Sequence, residues 1–134
     1  MSTWSTDADL YDASALAYTA LTAYSAARVD QGRSAVTDLE TQRTEAQRQI
    51  YARLRQRGIL PGEIDRTADL KAPEAYLALA LLFEAVMQFS PDGTGDVYAQ
   101  AAARARERYE HEMATAAPTA GVRSAGMSFE IGRG

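Results

Sequence analysis

Few side chains in this sequence are placed to do covalent chemistry. His111 is the only histidine and there are no cysteines, so a thiolate nucleophile, a thiolate zinc site and a catalytic triad all lack partners. Glu107, Glu110 and His111 do not form the Glu-x-x-His pattern that a di-iron bundle needs on two helices. Gly93-Thr94-Gly95 is too short for a phosphate loop, and no lysine follows it. The carboxylates are scattered, with no general acid–base pair. The sequence therefore predicts no enzyme, no metal and no cofactor, and a solvent-exposed His111. Arg48, Arg53, Arg55 and Arg57 invite a DNA-binding reading. The plainer reading is a solvated helix face whose basic end complements the helix macrodipole.

Recognition chemistry is the better prospect, and it sits at the C-terminus. Residues 118–134 hold four glycines and the run Met127-Ser128-Phe129-Glu130-Ile131. Met127, Phe129 and Ile131 share one face of a strand, with Ser128 and Glu130 on the other. A lone strand in a helical chain cannot satisfy its own backbone N–H and C=O groups. Addition to the sheet edge of another molecule satisfies them. Arg123 and Arg133 flank the run and can reach an acidic rim on the partner. Extended, the segment spans about 55 Å at roughly 3.3 Å per residue. The predicted docking residues are thus Arg123, Met127, Phe129, Ile131 and Arg133. The alternative is a frayed terminus.

The body that carries this segment is bounded by composition. The chain has 134 residues, 46% hydrophobic and 24% charged, with a net charge of −4. That suits one domain with a modest core. General affinity for nucleic acid is not expected from an acidic chain. The apolar run Ala75 to Phe83 is too short for a membrane span, and the first residues lack the basic-then-apolar order of a secretion signal. The absence of cysteine fits a cytosolic setting.

Hydrophobic spacing predicts an all-α fold: a small bundle of about four helices over 1–117 and an extended C-terminal arm over 118–134. Residues 1–6 read as extended. Thr6 or Asp7 caps a first helix over about 7–25, with a break near Ala13-Ser14. Asp30-Gln31-Gly32 is a loop. Ser34 is the expected N-cap of a second helix, with Val36, Leu39, Ala46, Ile50 and Leu54 in one stripe and Gly58 just beyond its end. Ile59 and Leu60 anchor the turn at Pro61-Gly62, and Asp65 to Leu70 form a short helical turn. A third helix follows with Pro73 at its first position. It is apolar nearly all round to Phe89, which predicts burial, with Leu81 in the core. Ser90-Pro91-Asp92-Gly93 ends it. The last helix starts at Thr94 or Asp96 and runs to about Ala116, with a seam of Val97, Ala101, Ala105, Tyr109 and Met113.

The order of these signals resembles a known family. Ile50-Tyr51-Ala52-Arg53-Leu54 leads to Arg57-Gly58-Ile59-Leu60-Pro61. Then come Ala68-Asp69-Leu70-Lys71, the apolar helix Ala75 to Phe83-Glu84-Ala85, and Tyr98 to Tyr109-Glu110 before the tail. The chain resembles the head–tail adaptor (connector) proteins of tailed bacteriophages and phage-like particles over about residues 7–116, and in the tail by placement. The resemblance implies a structural virion protein in the neck, at the head–tail interface, assembled in the host cytoplasm. Subunits would form a homo-oligomeric ring, usually twelvefold, beneath the portal protein. The arm would reach the portal, the lower face would receive the next neck or tail-completion protein, and DNA would pass through the channel without specific binding. No membrane is implied. The alanine- and tyrosine-rich stretch Ala13 to Ala27 departs from the pattern. A small helical DNA-binding regulator and a generic helical dimer are the alternative readings.

Overall fold

The computed structural model describes residues 2–89 and 95–119. Within them the chain is all-α, with five α-helices, two 3-10 turns and no strand. The helices are α1 (Asp7–Ala13), α2 (Ala17–Asp30), α3 (Glu40–Gln56), α4 (Lys71–Met87) and α5 (Gly95–Thr115). The 3-10 turns, Pro61–Glu63 and Thr67–Leu70, lie between α3 and α4.

α1 begins with a capping box. Thr6 Oγ1 accepts from the Asp9 N–H, and the Asp9 carboxylate accepts from the Thr6 N–H at 2.8 Å, satisfying two orphan donors of the first turn. Ser14 is extended, and its Oγ accepts from the Leu16 N–H. The expected break therefore falls at Ser14, and α2 continues five residues past the expected end. α2 stops at Gly32 (φ 79°), where the Gly32 N–H donates to Val29 O and the Arg33 N–H to Arg28 O. α3 stops the same way at Gly58 (φ 84°), with Gly58 N–H to Arg55 O and Ile59 N–H to Leu54 O. This is the Schellman arrangement, and glycine enters the left-handed region at little cost.

Ser34 does not cap α3. The helix starts at Glu40, and residues 33–38 form the connection back across the bundle. Tertiary contacts decide this. The Ser25 hydroxyl accepts from the Val36 N–H at 2.8 Å, and the Asp7 carboxylate accepts from the Leu39 N–H at 3.2 Å. An acidic side chain borrowed from α1 thus serves the positive end of α3. Leu39, Ala46, Ile50 and Leu54 are fully buried as expected, with Val36 packed at the margin.

α4 is the centre of the fold. It packs against α1, α2, α3 and, most extensively, α5. Ten of its seventeen residues are buried, which a helix apolar on all sides requires. Three details differ from expectation. Pro73 is the third helical residue because the 3-10 turn Thr67–Leu70 runs directly into α4; it still lies in the first turn, where a missing N–H costs nothing. Leu81 packs at the edge of the core, whereas Leu77, Leu79 and Leu82 are inside it. Leu60 is exposed and only Ile59 anchors the turn.

On α5, Ala101, Ala105, Tyr109 and Met113 are buried, but Val97 is 52% exposed and Tyr98 takes its place. The reason is geometric. Positions four apart drift by about 40° per step at 3.6 residues per turn, so a seam spaced only by four leaves the interface within about 16 residues.

Candidate functional site

The chain leaves α5 through a clamp. The carbonyl of Pro118 accepts from the N–H groups of Asp65 (3.0 Å) and Arg66 (2.8 Å). The Asp69 carboxylate accepts from the Ala117 N–H at 3.3 Å, and Pro118 itself is buried. Proline after a helix cannot continue it; here it also docks against the loop between α3 and α4. The root of the C-terminal segment is therefore fixed to the body. The docking residues expected from sequence, Arg123, Met127, Phe129, Ile131 and Arg133, lie outside the described residues, as does the breaker run Ser90 to Gly93.

Three hollows run from this root. The first, about 260 Å³, lies between Asp69, Ala72, Thr115 and Ala116. The second, about 330 Å³, shares Ala68 and Ala72 with it and reaches Asp12, Ala13 and Tyr76. The third, about 410 Å³, shares Ala13 and Tyr76 with the second. It is a cleft between the α1–α2 break, α4 and α5, with Leu16, Leu79 and Phe83 on its walls and Arg104 and Arg108 at α5. Small side chains make it: Ala13, Ser14 and Ala15 at the break face Ala101 and Ala105. The Arg108 guanidinium lies 5.0 Å from the centre of the Tyr76 ring and 3.3 Å from Glu112. Arg104 is exposed and has no ion-pair partner among the described residues.

The N-terminal segment is a strap. Glu74 in the first turn of α4 is fully buried. Its carboxylate accepts from the Ser5 N–H (2.7 Å), the Ser5 hydroxyl (2.5 Å) and the Trp4 N–H (3.3 Å). Burial pushes its pKa up, with the Ser5 and Trp4 donors and the nearby Arg43 charge opposing that. Arg43 donates to Thr3 Oγ1 and Ser5 O and pairs with Asp7 at 3.0 Å. The Gln47 amide donates to Ser2 O, and Trp4 packs edge-on against Tyr51 at 5.1 Å. Residues 2–6 thus hold α1, α3 and α4 together.

The arginine-rich end of α3 is partly committed within the molecule. Arg53 makes a two-point pair with Glu110 of α5 and lies over the Tyr109 ring at 5.3 Å. Arg48 pairs with Glu45 one turn away and holds that carboxyl at about 2. Arg55 and Arg57 are exposed, as is His111. Sequence reasoning missed the buried Glu74, because an acidic residue in a first helical turn also reads as a partner of the dipole. Trp4 in a polar segment was the available signal. No three His, Asp or Glu side chains converge as a metal site among the described residues, and no described helix is long and apolar enough to cross a membrane. No protein family, curated protein or solved structure matches the chain.

Proposed function

We propose that this chain is a head–tail adaptor of a tailed bacteriophage or phage-like particle. Its helical body joins a ring beneath the portal protein, its C-terminal arm docks on the portal, and its lower face receives the next neck protein. DNA passes through the channel without specific binding. The observation that carries the reading is the clamped root at Pro118. An arm that must transmit force between two particles needs a fixed attachment to its own body, and Met127, Phe129 and Ile131 follow within reach. The resemblance in the order of the helices supports the same reading. A net charge of −4 suits a channel that does not grip DNA.

The outer stripe of α2 supports lateral assembly. Tyr18, Thr22, Ala26 and Val29 share one face at helical spacing, and all four are exposed. Tyr18 is 70% and Val29 51% accessible. Such a face is suited to a neighbouring subunit. Each arm alone binds weakly, and a ring of arms binds tightly through multivalency.

Co-assembly with the portal protein tests the proposal. Full-length protein should attach to portal-containing heads in a fixed number of copies, counted by electron microscopy. Phe129→Asp should weaken attachment strongly and Ser128→Ala little. Attachment at normal stoichiometry by a chain ending at Thr119 would overturn the arm, and failure of the full chain to attach would overturn the adaptor reading.

A further inference from the structure

We propose that in the free chain the cleft between the α1–α2 break, α4 and α5 receives the chain's own residues 127–131. Three observations carry this beyond the adaptor reading, and none of them depends on it. The first is continuity. The hollows are neighbours: the one at Ala116 shares Ala68 and Ala72 with the next, which shares Ala13 and Tyr76 with the cleft. A segment starting at the Pro118 clamp has a track along the body surface.

The second is length. Arg104 lies eleven residues back from Thr115 on α5, about 16 Å at 1.5 Å rise per residue. From Thr119 to Phe129 the chain reaches about 33 Å at roughly 3.3 Å per residue. The segment covers that distance with slack for the reversal of direction at Pro118.

The third is the order of charges. Going from the root, the hollows offer Asp69 and Glu112, then Asp12 beside the Lys71–Asp9 pair (3.3 Å), and then Arg104 and Arg108 at the cleft. The segment presents Arg123 first and Glu130 later, the complementary sequence. Arg108 is engaged with Glu112 and Tyr76, which leaves Arg104 for Glu130. Met127, Phe129 and Ile131 alternate with Glu130, so their face meets Leu16, Tyr76 and the alanines of the break, with Leu79 and Phe83 buried beneath them, while the carboxylate stays at the rim. Lysine or arginine in place of Glu130 would meet like charge and be excluded.

The absence of cysteine makes the test clean. A nitroxide placed on Ser128→Cys labels the full chain at one position. Amide signals of Leu16, Tyr76 and Arg104 should be lost to paramagnetic broadening and return when the nitroxide is reduced, at every protein concentration. Arg104→Glu should restore those signals in the oxidised sample, and Glu130→Arg added to it should broaden them again. Unbroadened cleft signals would overturn the inference, as would broadening on another face. Broadening in a mixture of isotope-labelled chains with separately spin-labelled ones would assign the occupant to a second copy and overturn it too. Because only the free chain is used, these results are independent of portal attachment.

Discussion

Glu74 has the most unusual surroundings of any single residue. A carboxylate removed from water loses solvation, and three donors at hydrogen-bond distance together with the Arg43 charge return only part of it, so its pKa rises above the ordinary 4.5. A raised folded value means that the fold prefers the protonated acid. Its contribution to stability is then largest below the unfolded value and shrinks as pH rises through the folded one. We expect urea unfolding to show this decline above pH 4.5, and Glu74→Gln to flatten it. A profile that keeps the same slope in Glu74→Gln would assign the dependence to another group. Glu74→Ala should cost about 1–3 kcal/mol, because the Ser5 and Trp4 donors would stay buried and unpaired. Glu45 has the opposite sign: Arg48 lowers it to about 2, so its contribution is lost only as pH falls towards that value, and its exposure keeps the contribution small.

α4 and the ends of α3 set expectations for whole elements. Leu82 is fully buried and Leu81 lies at the core edge. Leu82→Ala should therefore cost about 2–5 kcal/mol, and Leu81→Ala clearly less, measured by thermal melts of the two variants side by side. Equal costs would show that the α4 face is rotated from the one described. Gly58→Ala isolates backbone strain, because a Cβ there meets nothing within 4 Å while φ is +84°. It should cost about 1–2 kcal/mol through the left-handed conformation alone. Glu110→Gln removes the pairing charge of the α3–α5 bridge to Arg53, which is partly exposed, and should cost under about 1 kcal/mol.

In the whole molecule, the two chain ends hold different parts of the bundle. Residues 2–6 join α1, α3 and α4 around Glu74, and Pro118 ties the end of α5 to the loop before α4. Deleting residues 2–6 should lower the melting temperature measurably, since it strands Glu74 and uncovers Tyr51. Ending the chain at Thr119 should leave the melting temperature nearly unchanged, since the clamp contacts of Ala117 and Pro118 are retained. A large loss on the second truncation would show that residues beyond Thr119 contribute to the fold.

The helical content, the buried nature of α4, the break at Ser14 and the glycine stop at Gly58 are written in the sequence. Each depends on local spacing or on one residue's backbone freedom, and both act over a few positions. The start of α3, the exposure of Val97 and Leu60, and the burial of Glu74 are not written there. They depend on partners far along the chain: Asp7 reaches the start of α3, Ser5 and Trp4 reach Glu74, and Asp65 and Arg66 reach Pro118. The cleft is of the same kind, because Ala13, Ser14, Tyr76 and Arg104 belong to different elements. Local chemistry determines which segments are helices. Only the packed structure brings distant backbone donors, buried charges and small side chains together, because those contacts satisfy groups that no neighbour in sequence can reach.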